Sequence, residues 1–404
     1  MKTMSLALTI ALATMANGVP TQPLYAANAE KTQQRGSIAS VERLGIIRQT
    51  NLQKIAAEFP GEITAKQSVE LFRVTYWTVL KGKPIRASGL FVTPQNVEQP
   101  KGVMMYLHGT TNTRALSPSQ PDRADGEAEA AVFGANGYYV VLPDYIGLGV
   151  SHEPHPYIIT KPLVDDSIDM LKAVRRIARD RKLNWSPNLF MMGFSQGGQV
   201  VAGVHRELDR RPIRDYRLRG SIGVAGPYEL RKTSLPKAVE RNCLKCMGYL
   251  AWGASAYADF YGYPISTALK PAYANGVPKL FDGSKTMWEI GAALPAKAED
   301  MFQPEFLQDM RTNGDNWFTK GLDRNETYRW APIAPFRLYT GENDIDVTPL
   351  SSKAFFDYAK RRGGNISLHS LGAVDHMASI SLTMAPALKW FEELAQTNAP
   401  APSR

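Results

Sequence analysis

A chain of 404 residues is long enough for one large catalytic domain carrying an insertion, or for two domains. Its 44% hydrophobic and 21% charged residues are ordinary for a globular protein, and no long disordered block or internal repeat is visible. The formal charge of +9 raises nucleic acid as a partner, but the basic residues are scattered, and Arg175-Arg176, Arg179-Asp180-Arg181-Lys182 and Asp209-Arg210-Arg211 sit in helical, acid-containing surroundings. These read as solvated faces, so nucleic-acid binding is not expected, while a positive exterior favours approach to anionic surfaces.

The N-terminus has the layout of a secretory leader. Met1-Lys2 carries positive charge, and Leu6 to Ala16 is an apolar stretch too short to span a bilayer. Ala27-Asn28-Ala29 supplies a cleavage site, with Leu24-Tyr25-Ala26 as a rival. Residues 1–29 are therefore expected to be a signal peptide, and the mature chain periplasmic or extracellular. In that compartment Cys243 and Cys246, the only cysteines, can oxidise. With no thioredoxin-like βαβ unit and no nearby histidine ligands, they read as a small structural bridge or as two buried thiols. No metal or cofactor site is expected.

Residues 30–65 are polar and helix-leaning, an N-terminal arm with apolar positions at Ile46, Leu52, Ile55 and Ala56. Val69–Leu80 alternates and is rich in β-branched and aromatic residues, and Pro84–Val92 follows a Lys-Gly-Lys turn, so the pair reads as antiparallel strands. Gly102–Leu107 and Tyr138–Leu142 are continuous apolar runs, expected as strands buried on both faces. Helices are expected over Ala128–Asn136 and Val164–Lys182. Asn188–Met192 and Gly220–Ala225 are further strands.

From Pro227 to Tyr328 the alternation stops in a stretch rich in aromatics and methionine, which predicts a helical cap inserted over the site. Strand (Ala334–Tyr339), helix (Ser351–Arg362), strand (Ile366–Leu371) and helix (Met377–Ala395) then resume. The expected division is a core of residues 30–226 and 329–397, a cap at 227–328, and a loose tail at 398–404. Repeated β-α-β units imply an α/β fold with a mostly parallel sheet flanked by helices, whose ligands bind at the carboxyl ends of the strands.

The chemistry centres on Gly193-Phe194-Ser195-Gln196-Gly197. A buried strand, a sharp glycine turn and a helix start form the context of a nucleophile elbow, although a Gly/Ser turn between strand and helix is also common for packing alone. Serine needs a base within reach and a group to orient that base. Of the six histidines, His376 lies at a loop-to-helix junction after the last strand, whereas His205 lies in the helix behind the elbow and His369 within a strand. Asp344 follows the preceding strand in a tight loop and is the expected orienting acid, ahead of Asp346; Asp375 reads as a local turn residue. The oxyanion donors are expected at the backbone N–H groups of Gln196 and Thr110, with Thr111 next, and His108 as a prop for that loop.

Tyr106-Leu107-His108-Gly109, Pro143-Asp144-Tyr145-Ile146-Gly147-Leu148-Gly149, the elbow through Gly198, Gly341-x-x-Asp344 and Asp375-His376-Met377 together resemble the α/β-hydrolase fold. More narrowly they resemble secreted esterases and lipases of the secretory-lipase type, over residues 65–395, with His155-Pro156-Tyr157 as a softer match. The resemblance implies a Ser-His-Asp triad, no metal, and ester hydrolysis on a small, apolar substrate, with a lipid interface left open. A serine peptidase or amidase is the alternative, for which Glu240 and Glu289 are candidates to hold a substrate amine. A non-catalytic binding protein of the same fold is the remaining alternative, and it would be marked by loss of a triad residue.

Overall fold

The computed structural model describes residues 25–26, 33–121, 126–241 and 243–397. Apart from Tyr25–Ala26, the expected leader lies outside the described residues, as does the expected loose tail.

In chain order the elements before the insertion are β1 (Tyr25–Ala26), β2 (Ile38–Ile47), α1 (Gln49–Ala56), β3 (Val69–Leu80), β4 (Lys83–Pro94), β5 (Gly102–Leu107), α2 (Glu127–Val132), β6 (Tyr138–Pro143), α3 (Thr160–Asp180), β7 (Asn188–Phe194), α4 (Gln196–Arg210) and β8 (Arg217–Val224). The insertion holds α5 (Leu235–Glu240), α6 (Leu244–Tyr261), α7 (Pro271–Ala274), α8 (Met287–Ala292), α9 (Ala298–Met301), α10 (Pro304–Thr312) and α11 (Trp317–Asn325). Then come β9 (Phe336–Thr340), α12 (Pro349–Lys360), β10 (Ile366–Ser370) and α13 (His376–Gln396).

The ten strands of the described residues form one sheet, in the order β1-β2-β3-β4-β6-β5-β7-β8-β9-β10. From β6 across to β10 every neighbouring pair is parallel, while β1 to β4 and the β4–β6 junction are antiparallel. Successive side chains of a strand face opposite ways, so β5 feeds two cores. Val103, Met105 and Leu107 pack with α3, α4 and α12, and Met104 and Tyr106 pack with α1, α2 and α13. This is why the run Val-Met-Met-Tyr-Leu has no polar position. The insertion has its own core, built around Leu250, Trp252, Tyr257, Phe302 and Phe318, which also takes in Tyr157–Ile159 from the main body.

One expectation is corrected. Residues 38–47 are not helical: they form β2, paired antiparallel along β3. Their polar residues are an edge-strand pattern, with Glu42 ion-paired to Arg73 across the strands at 2.8 Å and Arg43 paired to Glu70. Only Gln49–Ala56 is helical, and of its apolar positions Leu52 and Ala56 are buried. A smaller shift occurs at α3, which starts at Thr160, four residues before the predicted start. Pro162 lies in its first turn, where a missing N–H leaves no partner wanting.

Cys243 and Cys246 are joined by a disulfide across the first turn of α6, with Cα atoms 5.1 Å apart. The bridge therefore holds over the buried-thiol alternative. So short a loop constrains the unfolded chain little, and its effect is local to the helix start.

Parallel register carries the fold to the site. Leu107 pairs with Gly193, and Gly193 with Gly223, so the carboxyl ends of β5, β7 and β8 lie on one edge. The loops after β9 and β10 leave from that same edge.

Candidate active site

Ser195 sits between β7 and α4 with φ 55° and ψ −120°, a conformation that costs a non-glycine residue of order 1–3 kcal/mol. The surroundings impose it. A Cβ on Gly193 would stand 2.0 Å from the Gly197 carbonyl oxygen, and one on Gly197 would stand 1.7 Å from that of Leu107. Only glycine at both positions lets the start of α4 close onto the end of β5. That closure also brings the 108–111 loop beside Ser195: a Cβ on Gly109 would be 3.5 Å from the Ser195 Cβ.

Asp344 and His376 meet. His376 opens α13, and its Nδ1–H donates to Asp344 Oδ2 at 2.7 Å. The other carboxylate oxygen accepts the N–H groups of Asp346 and Val347 at 2.9 and 2.8 Å, which fixes the carboxylate from its own loop. Both side chains are buried, and the imidazole packs on Phe194, next to Ser195, with ring centroids 4.7 Å apart. Asp346 instead pairs with Lys245 of the insertion at 3.3 Å. Asp375 caps α13 by accepting the Ala378 N–H at 2.8 Å, the local role expected of it.

Among the described residues, the backbone N–H groups of Gln196 and Thr110 have no protein acceptor. Both residues line, with Ser195, a cavity of about 110 Å³ between the main body and the insertion. The rest of the lining is mostly apolar and includes Leu230, Leu235, Leu250, Phe318 and Leu322. His108 is buried, with its ring nitrogens 2.8 and 3.2 Å from the carbonyl oxygens of Gly109 and Asp144 and its ring stacked on Tyr145, so it holds the loop rather than facing the cavity.

A second Ser-His-Asp set lies behind the elbow. Ser221 Oγ is 2.8 Å from His205 Nδ1, and His205 Nε2 is 3.4 Å from Asp209 Oδ2 without hydrogen-bond geometry. Ser221 and His205 are each 0% exposed, and the His205 ring is enclosed by Trp330 and Phe336. Ser221 lies within β8, away from any helix start, and does not line the cavity. Neither Ser221 nor His205 presents any surface to a substrate carbonyl. The set ties α4 to β8, and Ser221→Ala is expected to keep hydrolytic activity within about threefold while lowering stability by about 1 kcal/mol for the lost bond. Thermal melting and initial rates on the same preparation check both halves.

The carboxylates considered as holders of a substrate amine are engaged elsewhere. Glu240 pairs with Lys237 at 2.8 Å, Glu289 caps α8 through Thr286, and neither lines the cavity. Among the described residues no group of three or more His, Cys, Asp or Glu is arranged to hold a metal, and no helix is long and apolar enough to cross a membrane.

Sequence reasoning gave His155 and Tyr157 no role, yet both reach the site. His155 Nδ1–H donates to the Ile146 carbonyl at 2.7 Å, and its Nε2 accepts from the Gln196 side-chain amide at 2.8 Å. Burial pushes the imidazole down to about 4, so it is neutral at ordinary pH. The sequence signal is faint, a histidine and a tyrosine around Pro156, 41 and 39 residues before Gln196.

No family model matches the chain. No curated protein matches it either. Solved structures do. A candidate hydrolase from Legionella pneumophila superposes with a TM-score of 0.83 at 25% identity, covering 90% of this chain and 99% of that one. The rice cell wall degrading esterase LipA from Xanthomonas oryzae gives 0.78 at 24% identity, covering 90% and 97%. Candida antarctica lipase A in its closed state gives 0.67 at 11% identity, covering 91% and 84%. This chain, with a helical insertion between β8 and β9 and a parallel sheet from β6 to β10, shares with them the α/β-hydrolase fold.

Proposed function

We propose that this chain, an α/β-hydrolase by fold, is a serine esterase that cleaves carboxylic esters with short apolar acyl groups. The observation that carries the reading is Ser195 in its strained turn, opening on an apolar cavity beside two unengaged backbone N–H groups. In this account Ser195 Oγ attacks the ester carbonyl as His376 takes its proton. Asp344 holds the imidazole tautomer and stabilises the imidazolium. The N–H groups of Gln196 and Thr110 receive the oxyanion, each worth about 3 kcal/mol in the transition state. His376 returns the proton to the leaving alcohol, and water, activated by the same base, releases the acid from Ser195.

The size of the cavity supports the short acyl class. It is about 110 Å³, lined mostly by apolar side chains and open on one side, room for a short acyl chain against Leu230, Leu235 and Leu250. A series of 4-nitrophenyl esters from acetate to palmitate tests this. The highest kcat/KM is expected at the short end, falling steeply beyond the medium chains, and a maximum at palmitate would contradict it. No observation favours the peptidase alternative, since the cavity carboxylate Asp346 is already paired with Lys245. We further propose that residues 227–328 act as a cap unit setting substrate choice, and that the chain is exported. The leader-like pattern of residues 1–29 and the Cys243–Cys246 disulfide support export.

A further inference from the structure

The segment His155–Tyr157 joins the two residues assigned to the oxyanion to a single side chain of the cap. His155 Nε2 accepts from Gln196 Nε2 at 2.8 Å. The opposite end of that amide, Gln196 Oε1, is buried without a protein partner, so the bond to His155 is what fixes the side chain. Two residues on, the Tyr157 hydroxyl is 3.3 Å from Thr110 Oγ1, in hydrogen-bond contact. Trp252 of α6 packs on both rings, 4.3 Å from Tyr157 in near-parallel stacking and 5.3 Å from His155, and is backed in turn by Phe281. On the body side the His155 ring faces Tyr145.

The backbone is shaped to seat His155 there. Gly147 has φ +86°, and a Cβ on it would stand 2.5 Å from the His155 backbone nitrogen. The Nδ1–H bond to Ile146 fixes the tautomer, leaving Nε2 as an acceptor for an amide N–H. A neutral, buried imidazole with a fixed tautomer is suited to orienting a neighbour and not to moving a proton. It does not line the cavity.

We propose that His155 is a positioning residue for ester hydrolysis: it holds Gln196, and so the first N–H of α4, where the oxyanion forms, with Trp252 of the cap pressing it into place. The inference rests on the oxyanion assignment under the proposed function. Donors aimed at the oxyanion stabilise the transition state more than the ground state, so loosening one lowers kcat and spares KM.

The test compares His155→Phe, which keeps an aromatic ring and loses the acceptor, with Gln196→Met, which keeps the shape and the backbone N–H and loses the amide. Each is expected to lower kcat on 4-nitrophenyl acetate about tenfold with KM within about twofold. Each should weaken binding of a boronic acid, whose serine adduct mimics the tetrahedral intermediate, by the same factor. The double variant is expected to be no worse than either single one, and His155→Gln, which restores an acceptor, to recover most of the loss. Unchanged kcat in Gln196→Met, a loss confined to KM, or multiplying losses in the double variant overturns the proposal. If His155→Phe melts below the assay temperature, Gln196→Met decides alone, because it leaves the aromatic stack in place. A wild-type protein inactive on every ester of the series overturns the esterase reading and this inference together. An active wild type with unaffected variants overturns only the positioning role.

Discussion

Replacing Ser195 by alanine is expected to lower kcat on short 4-nitrophenyl esters by about 10⁴- to 10⁶-fold, with little change in KM. The size follows from what is lost. The other serine and threonine lining the cavity are engaged elsewhere, Ser234 Oγ with the Glu229 carbonyl and Thr110 Oγ1 with the Tyr157 hydroxyl, and the remaining oxyanion donors can only assist attack by water. The fold should be untouched, because the serine hydroxyl fills no structural role among the described hydrogen bonds and alanine tolerates the strained turn no worse than serine. The contrast with Ser221→Ala is the informative part. Ser221 touches a histidine directly, whereas Ser195 follows Phe194, on which the Asp344-paired imidazole of His376 packs, and only Ser195, beside the cavity, should matter for rate. Rates measured side by side on the two variants distinguish them. A drop confined to Ser221→Ala would move the chemistry to the β8 set.

The second large effect is expected at Asp344. Asp344→Asn should lower kcat by about 10⁴-fold. The carboxylate accepts from His376 Nδ1 at 2.7 Å, and an amide turned to offer its NH₂ there would select the wrong imidazole tautomer. Nε2 would then carry the proton it must accept from Ser195. Asp346→Asn, two residues on, should stay within about tenfold, since it breaks only a partly exposed pair with Lys245. The ratio of the two rates is the measurement. Equal losses would mean that either carboxylate can serve the base, which the single 2.7 Å contact contradicts.

Much of this site is legible in the sequence because its demands are local. The elbow needs glycine at 193 and 197 for steric reasons that follow from a strand, a turn and a helix meeting in five residues. Asp344 and His376 can be picked out because loops that follow strands of a parallel sheet leave from the same edge. The buried strands β5 and β6 declare themselves by lacking any polar position.

What the sequence hides is what depends on contacts across long separations. β2 reads as a polar helical arm because its charges find partners only once β3 lies alongside, with Glu42 meeting Arg73 and Arg43 meeting Glu70. His205 looks idle, and its bond to Ser221 requires α4 to fold back on β8. His155 is the instructive case. Its segment, His155-Pro156-Tyr157, is only a soft match to the family pattern and gives it no role, which exists because Gln196, Ile146 and Trp252 converge on one ring from distant parts of the chain. The aromatic residues of the insertion announce a core, but which of them line the cavity and which brace the body is settled by packing alone.

The central claim, that Ser195 is the activated nucleophile of this chain, is tested most directly by a fluorophosphonate probe, which bonds covalently to a serine only where a base and an oxyanion site activate it. One adduct per chain is expected by intact mass, mapped to the peptide carrying Ser195, absent in Ser195→Ala and retained in Ser221→Ala. An adduct on Ser221, or an intact mass that stays unmodified under conditions that label a known serine esterase, would contradict it.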